Sequence, residues 1–195
     1  MNKIKNLIIE GLSGSGKSKI IKKLELFLNK NNIDYKIYFE TETFGDFMDE
    51  LSDKNKSDSE KIYRLNDILN KIEKDSKETL IILERFHLSY YALIDNWDLY
   101  FKIDELLSEK NFLLVLLEYN QDLIIERALN HFDIKENGLE LAVEYFGSLE
   151  KAIEAYTQSK INREIALKKT KIPNIKIDTS SMDWNFYLEE IILFY

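Results

Sequence analysis

Short, wholly apolar runs alternate along the chain with longer stretches whose apolar residues recur at helical spacing. The apolar runs place strands at Asn6 to Glu10, Tyr35 to Glu40, Thr79 to Glu84, Phe112 to Glu118 and Asn174 to Asp178, each ending in or just before an acidic residue. A strand that is apolar on both faces belongs in a parallel sheet covered on both sides. The intervening periodicity supplies the cover, with helices at Lys17 to Lys30, Ser59 to Asp75, His87 to Ile94, Asp98 to Lys110, Asp122 to His131, Leu139 to Lys169 and Asp183 to Phe194. Gly138 and Gly147 lie where the long stretch to Lys169 breaks. Pro173, the sole proline, lacks an amide to continue a helix and suits the approach to the last strand. The expectation is an α/β fold of three layers, a five-stranded parallel sheet with helices on both faces, with residues 1–195 forming one domain. The polar stretch Ser52 to Ser59 reads as a surface loop or as a flap over a substrate.

One segment carries chemistry directly. Gly11-Leu12-Ser13-Gly14-Ser15-Gly16-Lys17-Ser18 satisfies G-x-x-x-x-G-K-[ST] at every fixed position. It follows the apolar run LIIE and opens a helix in which Ile20, Ile21, Leu24, Phe27 and Leu28 recur at helical spacing, so the strand, loop and helix stand in the order a phosphate-binding loop requires. Glycines let successive amides point inward, and the helix N-terminus adds its dipole, so main-chain donors hold the polyphosphate. Ser13, Gly14, Ser15, Gly16, Lys17, Ser18 and Lys19 are the expected nucleotide contacts. Lys17 would neutralise the β- and γ-phosphates, and Ser18 would give its hydroxyl to Mg²⁺. The expected fold is therefore that of a P-loop NTPase, with ATP and Mg²⁺ as cofactors. Ligands of open α/β sheets gather at the carboxyl ends of the strands, and those ends carry Glu10, Glu40 with Glu42, Glu84 with Arg85, and Glu118.

Composition narrows the partners. Of 195 residues, 35 are acidic and 27 basic, a net charge of -8 that disfavours broad binding to a nucleic-acid backbone. The absence of cysteine removes disulfides, thiol nucleophiles and thiolate metal sites, and suits a reducing, cytoplasmic setting. The longest apolar run, Phe112 to Leu117, falls far below the roughly 18 residues of a membrane span, and Leu7 to Ile9 is too short for a secretion signal. No nucleic-acid or membrane partner is expected.

Leu83-Glu84-Arg85-Phe86-His87-Leu88-Ser89 resembles the thymidylate kinase and deoxynucleoside kinase group of P-loop kinases, in which Asp-Arg or Glu-Arg closes the third strand and a serine follows. The opening IIEGLSGSGKS and the C-terminal Ile177-Asp178-Thr179-Ser180 look like the same group, so the resemblance spans the chain. It implies transfer of the γ-phosphoryl of ATP to a nucleoside monophosphate or nucleoside. Glu84 would hold the water shell of Mg²⁺ opposite Ser18, and Arg85 and Arg64 would clamp the acceptor, with Ser89 beside them. Arg127 would stack on adenine. Glu42 is the first choice, and Glu40 the second, for the base that takes a proton from an acceptor hydroxyl. Each has a plainer alternative: a surface pair for Glu84 with Arg85 or for Arg64 with Glu60, a solvent-facing helix position for Arg127, and solvated strand-end acids for Glu40 and Glu42.

The family's lid, here near residues 130–147, usually brings arginines to the transferring group. This chain has only Arg64, Arg85, Arg127 and Arg163, so Lys135 or Arg163 would substitute, or the charge is incomplete. Phe44, Phe47, Tyr63, Tyr90, Tyr91 and Trp97 divide between a wall for a flat base and the core. His87 could reach substrate from its place after Glu84-Arg85-Phe86, but reads first as a hydrogen-bonded structural histidine. Two other readings stand beside the nucleotide kinase: a kinase of another small hydroxylated metabolite or antibiotic, and a nucleotide-binding regulatory module of low activity. By analogy with the family, the resemblance allows a homodimer.

Overall fold

The computed structural model describes residues 6–45, 57, 60, 63–75, 79–94, 96–134 and 137–195, with the backbone alone for residues 64, 75, 133 and 134. Five parallel strands, β1 (Asn6–Gly11), β2 (Tyr35–Tyr38), β3 (Leu80–Glu84), β4 (Phe112–Glu118) and β5 (Asn174–Asp178), form one sheet in the order β2-β3-β1-β4-β5. Parallel neighbours need crossovers, and the chain supplies helices α1 (Lys17–Lys30), α2 (Glu40–Thr43), α3 (Tyr63–Asp75), α4 (His87–Ile94), α5 (Trp97–Glu109), α6 (Ile124–Arg127), α7 (Gly138–Phe146), α8 (Leu149–Lys169) and α9 (Trp184–Phe194).

Alternation of side chains along the buried strands gives the sheet a core on each face, and a third cluster around Leu12, Tyr119, Ile124 and Leu129 lies beyond the strand ends. Ile8, Ile81, Leu83, Phe112 and Leu114 pack beneath α3, α4, α5 and α8, whereas Leu7, Ile9, Ile82, Leu113, Val115 and Leu117 pack beneath α1 and α9. The three-layer α/β arrangement follows. Registers Ile9↔Glu84, Gly11↔Leu117 and Glu118↔Asp178 align the carboxyl ends of four strands on one edge. No helix among the described residues is long and apolar enough to cross a membrane.

Two local expectations change and a third holds. β2 stops at Tyr38, and Glu40 opens the single turn α2 instead of closing a strand. The helix expected from Asp122 to His131 is broken into the 3-10 turn Gln121–Leu123, the short α6, and a 3-10 run at Leu129–Ile134. Its helical period is overridden by tertiary anchors: the Arg127 guanidinium is tied to the carbonyls of Thr179 and Ser180, and the Arg127 carbonyl lies against Gly14. The long stretch to Lys169 splits at Gly147, whose φ of 87° is a left-handed helix end that glycine adopts without steric cost, and Ser148 then caps α8 by accepting from the Lys151 amide.

Candidate active site

The segment between β1 and α1 forms a tight loop in which Gly14 and Gly16 adopt φ of 75° and 90°. A side chain at Gly14 would strike the backbone of Arg127, and one at Gly16 would strike the ring of Trp184. Both the torsion and the space therefore demand glycine. Leu12 O accepts from the Ser15 amide at 3.2 Å and from Lys17 Nζ at 3.1 Å across the loop. Burial and the neighbouring Arg85 cation push Lys17 down to about 7.

The end of β3 joins this loop through side chains. Ser18 Oγ donates to Glu84 Oε1 at 3.1 Å, and the Glu40 amide donates to Glu84 Oε2 at 3.4 Å. Thr43 Oγ1 donates to the carbonyl of Glu84, so α2 is fastened to the same strand end. Arg85 sits at φ 53°, a left-handed conformation that costs a non-glycine residue about 1 kcal/mol or more. Its amide is held by Ile9 O at 3.0 Å, its Nη2 donates to Ser13 Oγ at 3.2 Å, and its Nε lies 3.0 Å from Glu40 Oε2. The guanidinium also rests 5.5 Å from the Phe44 ring centre. The loop and the ends of β2 and β3 thus share one polar network.

Sequence and structure part at several residues. Glu42 turns away: its Oε2 accepts from the Phe39 amide at 3.0 Å and caps α2, while Glu40 pairs with Arg85. Ser89 is fully buried, and its hydroxyl donates to Glu10 Oε2 at 2.6 Å. Arg127 is buried, with Nη1 and Nη2 donating to Thr179 O at 2.9 Å and Ser180 O at 2.8 Å and its guanidinium 5.4 Å from the Tyr119 ring centre. Lys19 is exposed on the first turn of α1. The Arg64 side chain, Lys135 and Phe47 lie outside the described residues. Of the aromatic candidates, Phe44, Tyr90 and Tyr91 belong to the core, Trp97 packs against it, and Tyr63 is exposed. His87 is buried, with Nε2 3.0 Å from Asp104 Oδ1.

Other participants were given no individual role by the sequence, Glu10 being named only among the strand-end acids. Glu10, fully buried on β1, accepts from the amides of Phe86 at 2.7 Å and Ser89 at 3.3 Å, fixing the turn that carries Arg85. Tyr119 OH donates to Ser13 O at 2.8 Å, and Tyr156 on α8 lies near the Ser13 side chain. Burial raises both phenols. Beside the loop, a cavity of about 380 Å³ is lined by Gly14, Gly16 and Lys17 to Lys19 on one side, and by Glu126, Arg127, His131, Met182 and Trp184 on the other. A sequence signal for Tyr156 existed: with Ser159 and Arg163 it forms an i, i+3, i+7 stripe on α8. For Trp184 there was none, because the loop before α9 meets α1 only in three dimensions.

No protein-family model matches the sequence, and no curated protein matches it. Solved structures do. The YorR protein from Bacillus subtilis, crystallised in complex with phosphorylated GDP, is 16% identical at a TM-score of 0.55 over 97% of this chain and 94% of its own. A deoxyadenosine kinase from M. mycoides, solved with the products dCMP and dCDP, is 18% identical at 0.56 over 96% and 97%. A thymidylate kinase from Ehrlichia chaffeensis is 19% identical at 0.55 over 97% and 96%. At these identities the likeness is one of fold: the chain has the P-loop kinase fold of the thymidylate and deoxynucleoside kinases.

Proposed function

We propose that this chain is a phosphotransferase that moves the γ-phosphoryl group of Mg·ATP to a nucleoside monophosphate or nucleoside. The observation that carries this reading is the connected network Ser13–Arg85–Glu40–Glu84–Ser18, which joins the phosphate-binding loop to the strand ends where an acceptor would lie. The names of two fold neighbours, a deoxyadenosine kinase and a thymidylate kinase, point to the same acceptor class.

Main-chain amides from Ser13 to Ser18 would hold the phosphates, with Lys17 supplying a buried cation beside them. The Ser18 hydroxyl and Glu84 carboxylate, 3.1 Å apart, are hard oxygen donors that fit Mg²⁺, with phosphate oxygens and water filling its other positions. Bound there, the ion would offset charge on the phosphates. Arg85, held rigidly by its backbone and by Ser13, would orient the group being transferred. As the acceptor oxygen bonds to the γ-phosphorus, the bond to the β-bridging oxygen breaks and ADP leaves. For a hydroxyl acceptor, Glu40 would take the released proton, being half-exposed and paired with Arg85, whereas Glu42 caps its own helix turn.

The test is ADP release from Mg·ATP across nucleosides, nucleoside monophosphates and aminoglycoside-like alcohols, with Lys17→Ala as the blank. One acceptor that raises turnover far above the blank is the expected outcome. ATP binding without phosphorylation of any nucleoside or monophosphate would defeat the reading.

A further inference from the structure

Arg163 is 3% exposed in the middle of α8, and among the described residues its hydrogen bonds reach only neutral acceptors. Nη1 donates to Ser159 O at 3.1 Å and Ser159 Oγ at 2.6 Å, Nη2 donates to Ser89 Oγ at 3.4 Å, and buried Nε has no partner among the described residues. A buried guanidinium without a carboxylate partner is costly. Glu10, which Arg163 reaches through the Ser89 hydroxyl, is already occupied by the Phe86 and Ser89 amides and that hydroxyl. Glu118, the other buried acid within its field, lies 3.9 Å from Lys160 and 3.6 Å from Lys176.

The same helix reaches the phosphate-binding loop through Tyr119, whose carbonyl accepts from Lys160 at 3.0 Å and whose hydroxyl donates to Ser13 O at 2.8 Å, and the Ser13 hydroxyl also receives Arg85. Arg163 meets the turn that carries Arg85, since Ser89, which accepts from Arg163, and Phe86, next to Arg85, both give their amides to Glu10, and Arg85 in turn reaches Ser13 in the loop that Lys17 crosses to Leu12; in keeping with this, burial and then Arg85 push both Lys17 and Arg163 down. Three buried cations that oppose one another leave room for an anion. Arg127, also buried, is already engaged by the carbonyls of Thr179 and Ser180.

We propose that Arg163 completes, with Arg85 and Lys17, an oxyanion site for a phosphate-like group, in which α8 supplies the charge that this arginine-poor chain does not carry in its lid. The site deepens the phosphotransferase reading and rests on it. Its ligand is either the phosphoryl group in transit or the acceptor's own phosphate.

The experiment compares wild type with Arg163→Met and Arg163→Lys by calorimetry. Mg·ADP is titrated with and without beryllium fluoride, which stands in for the γ-phosphoryl; inorganic phosphate is then titrated against protein saturated with Mg·ADP. The expected result is unchanged Mg·ADP affinity in Arg163→Met, with loss of about tenfold or more in the beryllium fluoride gain or in phosphate affinity. Whichever arm falls names the source of the oxyanion. Arg163→Lys, which keeps a charge but not the fork, should fall between. Mg·ADP affinity that is unchanged together with both gains at wild-type size would overturn the proposal and leave the phosphotransferase reading standing. Failure of wild type to bind Mg·ADP would remove both. If Arg163→Met does not fold, Arg163→Lys decides, a reduced gain supporting the site and an unchanged one rejecting it.

Discussion

The two sides of the phosphate-binding loop are built on different physics. On one side lies an open cavity lined by backbone, Trp184, Met182 and an arginine already saturated by carbonyls. On the other, Glu84 and Arg85 are tied to Glu40, and beside them Ser89 links Glu10 to Arg163, in mostly buried polar groups. The first side selects by shape, since two of its contacts are glycines that no side chain could replace. The second side acts by charge, and its groups are held before any ligand arrives. Preorganised charge is what phosphoryl transfer asks of a protein, so the network side should govern turnover and the cavity side should govern nucleotide affinity.

The largest effect that would test this contrast is at Arg85. Arg85→Gln should lower kcat by about 10² to 10³ while the KM for ATP changes little. A rise in that KM with kcat preserved would reverse the roles of the two sides. The complementary change is Gly16→Ala, which forces a methyl group into the Trp184 ring at a left-handed backbone position. Mg·ATP affinity should fall about tenfold or more, read by calorimetry, and Gly16→Ala combined with Trp184→Ala should recover part of it, because the clash is removed while the backbone strain remains.

Within the network, Glu40 and Glu42 sharpen the comparison. Glu40→Gln should reduce kcat on a hydroxyl acceptor by about 10- to 100-fold. Glu42→Gln keeps an oxygen for the Phe39 amide and should leave kcat within about twofold. Equal losses would return the base role to Glu42.

The smallest effect concerns the scaffold behind the network. Burial alone raises the Asp104 carboxyl, but hydrogen bonds from His87, the Lys171 amide and Thr170 outweigh it and hold the group below its ordinary 3.8. A depressed folded-state value contributes stability that is present above 3.8 and lost as pH falls through the folded value. Asp104→Asn should cost about 2 kcal/mol at neutral pH. The difference from wild type in urea unfolding should shrink as pH is lowered below about 4. A difference constant from pH 6 to pH 2 would count against the linkage.

How far these features were readable depends on the range of the interactions behind them. Strand positions were legible because an apolar run bounded by acids reports burial directly, as in Phe112 to Glu118. The loop was legible because its chemistry depends on residues adjacent in sequence. The split of the expected helix around Arg127 was not, since it answers to Thr179 and Ser180, more than fifty residues away. The choice between Glu40 and Glu42 turned on one turn of helix that places the first beside Arg85 and folds the second back onto its own backbone.

By itself, then, the amino-acid order determined the three layers, the five strands and the loop, because periodicity and local torsions are properties of neighbouring residues. Only the tertiary structure decided which charges meet. It brought Glu10 under Arg85's turn, Tyr119 onto Ser13 and Arg163 against Ser89, and these pairings arise where sheet edge, loop and a helix from distant parts of the chain are pressed together by the cores beneath them.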